Sequence, residues 1–144
     1  MTYFTMYGLA LVSGFVPLVN TEACLVSAAV LSPGAQPFGV ALAATLGQMT
    51  AKGLLYFSGR GLLRLPVRRH SSKVEAIAER LRGRGGALIF VSALTGLPPF
   101  YAVSIAAGVL RLAPGSFLLF GLAGRLLRFT AVVLAPRLLE AALP

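Results

Sequence analysis

Acidic residues are nearly missing from this sequence. The 144 residues include four glutamates, no aspartate, one histidine and one cysteine. A lone Cys24 excludes a disulfide framework and a cysteine metal site. With His70 as the single histidine and no aspartate, Ser–His–Asp chemistry and carboxylate-rich metal sites are excluded by inventory. No enzyme activity, metal or cofactor is therefore expected. Charge of either sign is also scarce, at 12% of residues, where soluble domains carry about 25%. In its place stand 57% apolar residues and a mean hydropathy of +0.84. A single domain of this size has nowhere to hide so much apolar surface from water. Lipid is the expected solvent.

The charge that is present is concentrated. Residues 60–84, RGLLRLPVRRHSSKVEAIAERLRGR, hold eight of the thirteen Lys and Arg residues and two of the four acids, a local balance of +6. A basic middle between two apolar halves predicts a multi-pass protein of the inner (plasma) membrane with this segment in the cytoplasm. A sequence pI near 11.2 would suggest nucleic acid in a soluble protein. Here the basic stretch has no interleaved aromatics, so attraction to anionic lipid is expected and nucleic acid is not. The first residues, MTYFTMYGLALVSGF, lack a positive n-region and a small-residue cleavage site, and are expected to be a retained membrane segment.

Prolines and glycines punctuate the apolar halves. Residues 3–16 and 23–31 are apolar arms separated by Pro17 and Asn20-Thr21-Glu22. Each is shorter than the ~20 residues a helix needs to cross a bilayer. The pattern predicts a re-entrant hairpin, with one tilted helix over 3–25, kinked at Pro17, as the alternative. After Pro33-Gly34, residues 36–58 are long enough to span. Gly39, Ala43, Gly47 and Ala51 recur every fourth residue there, a stripe that lets helices approach closely. Lys52 lies one turn from Gln48 and is read either as functional or as snorkelling to the interface. Ser72 and Glu75 form a capping-box pattern ahead of Val74, Ile77, Ala78 and Leu81. This predicts a short amphipathic helix on the membrane surface, ended by Gly83, Gly85 and Gly86. Residues 87–112 are again two short arms, broken at Thr95-Gly96-Leu97-Pro98-Pro99. Pro114-Gly115 then leads into a second span over 116–136.

A shift of 81 residues places Pro17 on Pro98, Leu31 on Leu112, and Pro33-Gly34 on Pro114-Gly115. The predicted fold is an all-α integral membrane domain over 1–144. It is an inverted repeat of hairpin plus transmembrane helix (3–58 and 87–137) joined by a basic amphipathic cytoplasmic helix within 60–84. Inverted repeats with broken helices at the midplane are a transporter architecture.

The stretches FVPLVNTEACLVSAAVLSPGAQPF and GALIFVSALTGLPPFYAVSIAAGVLRLAPGSFLLFGLAGRLLRF carry a further signal. Over about residues 10–135 the chain resembles the DedA/VTT (SNARE-associated) membrane proteins, and its second half is similar to their small YqaA-like branch. The Pro-x-x-x-x-Glu element at Pro17–Glu22 and Gly-Arg-x-x-Arg at Gly124–Arg128 are the most specific parts. The resemblance implies a polytopic helical protein with two re-entrant hairpins. It further implies movement of lipids or lipid-linked phosphate carriers between leaflets, coupled to protons in some relatives. Around Pro98 the chain has Thr95, Tyr101 and Ala102, where many members carry charges.

The residues themselves nominate a site. Glu22 is the single acid of the first half, and an ionisable group at membrane depth is costly. Asn20 stands beside it, with helix capping as its other reading. Arg125 and Arg128 fall ~15–20 Å into the second span at ~1.5 Å per residue, too deep for both to snorkel easily. Glu22, Asn20, Gln48, Arg125 and Arg128 are the expected substrate- or ion-binding set, with Pro17, Pro98 and Pro99 as hairpin breaks. A guanidinium fork suits a lipid phosphate, so the expected partners are membrane lipids, anionic or phosphate-bearing. Self-association into a homo-oligomer is compatible with this reading. The expected function is a scramblase- or flippase-like lipid transporter; the alternative is a membrane assembly protein without a transport cycle.

Overall fold

The computed structural model describes residues 2–15, 20–31, 34–63 and 71–143. Pro17, Pro33 and His70 lie outside these residues. The described residues form six helices and no strand: α1 (Thr2–Phe15), α2 (Thr21–Leu31), α3 (Pro37–Arg60), α4 (Ser72–Thr95), α5 (Phe100–Val109) and α6 (Pro114–Ala142).

Local chemistry sets the bounds. Pro37 and Pro114 open α3 and α6, where a missing N–H costs nothing. Gly61 and Gly96 end α3 and α4 with φ of 90° and 80°, a conformation that carries little penalty for glycine. The cap of α4 falls one residue earlier than the spacing suggests. Ser71, not Ser72, accepts the Val74 N–H at 3.3 Å. Arg84, among the glycines expected to end this helix, has φ −140° and ψ 31°. The chain breaks direction there and helix resumes at once.

α3 and α6 form an antiparallel central pair. Early in α3, Val40, Ala41 and Ala44 share a core with Phe129 and Val133 late in α6. Farther along α3, Met49 meets Gly121, and Tyr56 stacks on Phe117 with ring centroids 4.9 Å apart. Each end of this pair has its own apolar core. One gathers α1 and α2 and the other gathers α4 and α5.

The short arms fold back as pairs. Ser13 and Thr21 hydrogen-bond at one end of α1 and α2, while Thr2 and Leu31 line one groove at the other end. A single kinked helix over 3–25 does not fit this arrangement. The small-residue stripe of α3 is spent inside the chain. A Cβ on Gly47 would strike the Tyr7 carbonyl, and one on Gly39 would lie 2.8 Å from the Tyr3 ring.

Two expectations need correction. The amphipathic segment does not rest its apolar face on lipid: Val74, Ile77, Ala78 and Leu81 are buried in the core that α5 helps to form. Residues 36–58 have the length of a span, yet among the described residues α6 alone is long and apolar enough to cross a membrane. Thr45, Gln48, Thr50, Lys52 and Ser58 dilute α3.

Candidate functional site

Between the two cores runs a polar seam on facing sides of α3 and α6. Its first member comes from α2. Asn20 caps that helix, its Oδ1 accepting the N–H groups of Glu22 at 3.0 Å and Ala23 at 3.2 Å. The capping reading of Asn20 is therefore realised. Its neighbour Glu22 lies in the first turn, where the helix dipole favours a carboxylate.

Arg128 reaches Glu22 from α6. Its Nε donates to Glu22 Oε1 at 2.5 Å, and Nη2 makes an ion pair with the same oxygen. Its Nη1 donates to the Leu94 carbonyl at 2.9 Å, in the last turn of α4. One guanidinium thus ties the start of α2 to the end of α4, and so links the two breaks. The planar fork makes this possible, because its donors point in different fixed directions. Arg128 stands midway along α6, about 21 Å from its start at 1.5 Å per residue.

Arg125, one turn earlier, does not touch Glu22. Its guanidinium lies over the rings of Phe100 and Phe129, 4.9 and 5.8 Å from their centroids. Its Nε is buried without a hydrogen-bond partner among the described residues. Of the three charges in the expected binding set, two form a pair and the third is held by aromatic faces.

Gln48 lies across the seam on α3. Its Nε2 donates to Ser13 Oγ and Thr21 Oγ1, both at 2.9 Å, closing a small polar knot between α1, α2 and α3. Its buried Oε1 has no partner among the described residues. At the second break, Pro98 accepts a 2.5 Å hydrogen bond from Ser92 Oγ, and Pro99 caps α5. These prolines shape the break and offer no side-chain donor to a ligand. Pro17 lies outside the described residues.

The residue underweighted from sequence is Lys52. It is 5% exposed and does not snorkel. Its Nζ donates to the Gly14 carbonyl at 2.8 Å in the last turn of α1, and sits 5.5 Å from the centroid of the Tyr101 ring. The carbonyl end of a helix favours a cation. Lys52 is also within Coulombic reach of Arg125. The seam thus sets Lys52, Arg125 and Arg128 against Glu22, a surplus of positive charge in a largely apolar interior.

A comparison with protein families matches the VTT domain over residues 16–137. The chain belongs to the VTT-domain (DedA/SNARE-associated) family. This is a family of membrane proteins, and the match covers both breaks, all of α3, most of α6 and every residue of the seam from Asn20 onward. No curated protein and no solved structure matches the chain. Ser13 and Gly14, which complete the seam, lie just before the matched region.

Proposed function

We propose that this VTT-domain protein moves anionic or phosphate-bearing lipids, or lipid-linked phosphate carriers, between leaflets in a scramblase- or flippase-like manner. The carrying observation is Arg128: one guanidinium holds both a carboxylate and the carbonyl end of the opposite break. A lipid phosphate presents the same acceptor geometry to that fork as Glu22 does. Phosphate would displace Glu22 from Arg128, and Arg125, with a free Nε among the described residues, would add the second contact. Gln48 and the capped start of α2 would hold the vicinity in place. Glu22, released from its partner, is the group that would take up a proton in a proton-coupled cycle.

The basic balance of residues 60–84 supports a cytoplasmic place for that segment in the inner membrane, and two features support a multi-pass arrangement. Large apolar side chains face outward on most helices, including Phe4, Val30, Leu46, Leu119 and Leu127. The packing of α1 on α3 is matched by that of α4 on α6, and α2 leans on α6 as α5 leans on α3. Such an exchange of contacts is what an inverted repeat would produce. Translocation of a labelled anionic lipid by purified protein in vesicles tests the reading. Expected are transport by the parent and its loss in Glu22→Gln and Arg125→Ala variants that still insert and fold. Equal translocation by the parent and both variants would leave a structural cluster and favour an assembly role.

A further inference from the structure

The first half of α4 carries its charge on two separate edges. Its buried stripe of Val74, Ile77, Ala78 and Leu81 runs between them. On one edge Glu75 and Glu79 line a cleft with Arg82, and Glu79 pairs with Arg82 at 3.5 Å. On the other edge Arg80 and Arg84 line a notch of about 280 Å³ together with Leu88. Both arginines are exposed. Neither has a hydrogen bond or ion pair among the described residues. Like charges four residues apart on a helix repel each other, and no acid lines this notch. The notch sits where α4 kinks, at Arg84. From there the second half of α4 leads to the second break. Leu88 is half-buried, and Val91, one turn on, is 45% exposed. At 1.5 Å per residue Val91 stands about 10 Å along the helix from Arg84. A cationic notch thus continues into an apolar strip.

We infer that this notch is a site for one anionic phospholipid, with its phosphate at Arg80 and Arg84 and an acyl chain along Leu88 and Val91. The inference goes beyond lipid transport. The notch shares no residue with the polar seam, and a lipid bound here is held rather than moved. It requires only that the chain lies in a membrane, as its family does. Charge and shape name the occupant. A guanidinium fork matches phosphate oxygens, and a phosphate beside both arginines ends their mutual repulsion. A neutral lipid would cover the apolar strip and leave that repulsion in place. A free anion would relieve the repulsion and make no use of the strip. An anionic lipid does both at once, and clustered basic residues beside a membrane-embedded helix attract such lipids.

The chain contains no tryptophan, so a Val91→Trp substitution reports on this spot alone. The full chain carrying it is placed in phosphatidylcholine vesicles that contain a small share of lipid brominated on its acyl chains. Bromine in contact with the indole quenches its fluorescence. Brominated phosphatidylglycerol is expected to associate about tenfold more tightly than brominated phosphatidylcholine, within what two arginines beside one anionic lipid supply. Adding Arg80→Ala and Arg84→Ala should make the two lipids equal. Arg80→Lys with Arg84→Lys keeps the charge and loses the forks, and should retain only part of the preference. Lys73→Ala with Arg137→Ala removes the same charge from exposed positions outside the notch and should leave the preference intact. All these positions are exposed, so helix content by circular dichroism should not change. Equal quenching by the two lipids in the Val91→Trp protein overturns the site. An equal loss of preference on Lys73→Ala with Arg137→Ala also overturns it, because the basic segment would then act as a diffuse field. Inorganic phosphate at constant ionic strength should change nothing, and removal of the preference by it overturns the lipid as occupant.

Discussion

Lys52 and Arg128 hold the two breaks in the same way with different chemistry. Lys52, on α3, donates to the carbonyl of Gly14, the next-to-last residue of α1, and lies over the ring of Tyr101, the second residue of α5. Arg128, on α6, donates to the carbonyl of Leu94, the next-to-last residue of α4, and pairs with Glu22, the second residue of α2. Each central helix thus pins the end of one short arm and the beginning of an arm from the other half. One clamp closes on a carboxylate, the other on a neutral ring. In the proposed transport reading, a competing anion would open the first. The second has no carboxylate to release, because Lys52 meets a ring face and a backbone carbonyl. The difference places the ion pair between the halves on the α2 side and a cation–ring contact on the α5 side.

Five substitutions separate the clamps, beginning with the largest effect. Arg128→Ala removes the charged hydrogen bonds to both Glu22 and Leu94, each worth about 1.5–3 kcal/mol. Unfolding of the purified protein in detergent should show that loss, and translocation should cease. Arg128→Lys keeps the charge and loses the fork. It should retain most of the stability while transport falls about tenfold, and equal transport by this variant would show that charge alone suffices. Lys52→Met removes a charged hydrogen bond to Gly14, worth about 1.5–3 kcal/mol. Relief of repulsion with Arg125 offsets part of this, so the net loss on unfolding should stay below that of Arg128→Ala. Tyr101→Leu should cost about 0.5–1 kcal/mol, the scale of one cation–π contact, and Tyr101→Phe close to nothing. A Tyr101→Leu loss as large as that of Arg128→Ala would erase the distinction between the clamps.

The correspondence between the clamps also shows how far the sequence could be read. The second break and the start of α6 were legible because Gly96, Pro98 and Pro114 act on their own backbone. That Glu22, Arg125 and Arg128 belong to one site was legible on energetic grounds, because so few charges share an apolar chain, but which arginine takes Glu22 was not. The role of Lys52 was not. A constant shift of 81 residues aligns the prolines but sets Lys52 against Val133. In the structure Gly14 answers to Leu94, Glu22 to Tyr101 and Lys52 to Arg128, so the offset shrinks along the chain. Unequal connections do this, and residue-by-residue comparison at one offset cannot follow it. The buried face of the amphipathic helix was missed for another reason. Spacing reveals that Val74, Ile77, Ala78 and Leu81 share a side, but lipid and protein demand the same apolar side chains there.

The bare contacts of a few glycines have a mechanical meaning. A Cβ on Gly14 would collide with Ala51, one on Gly108 with the Tyr56 carbonyl, and one on Gly124 would come within 2.7 Å of Ala93. Where backbones touch this closely, neighbouring helices cannot slide past each other without separating. α1 is keyed to α3, α5 to α3, and α4 to α6. α2 has no such key and makes the sparsest contacts with its neighbours. Its firmest attachments are the Thr21 knot and the bond from Glu22 to Arg128. Release of that bond would let one short helix swing as a lever on a frame that stays locked.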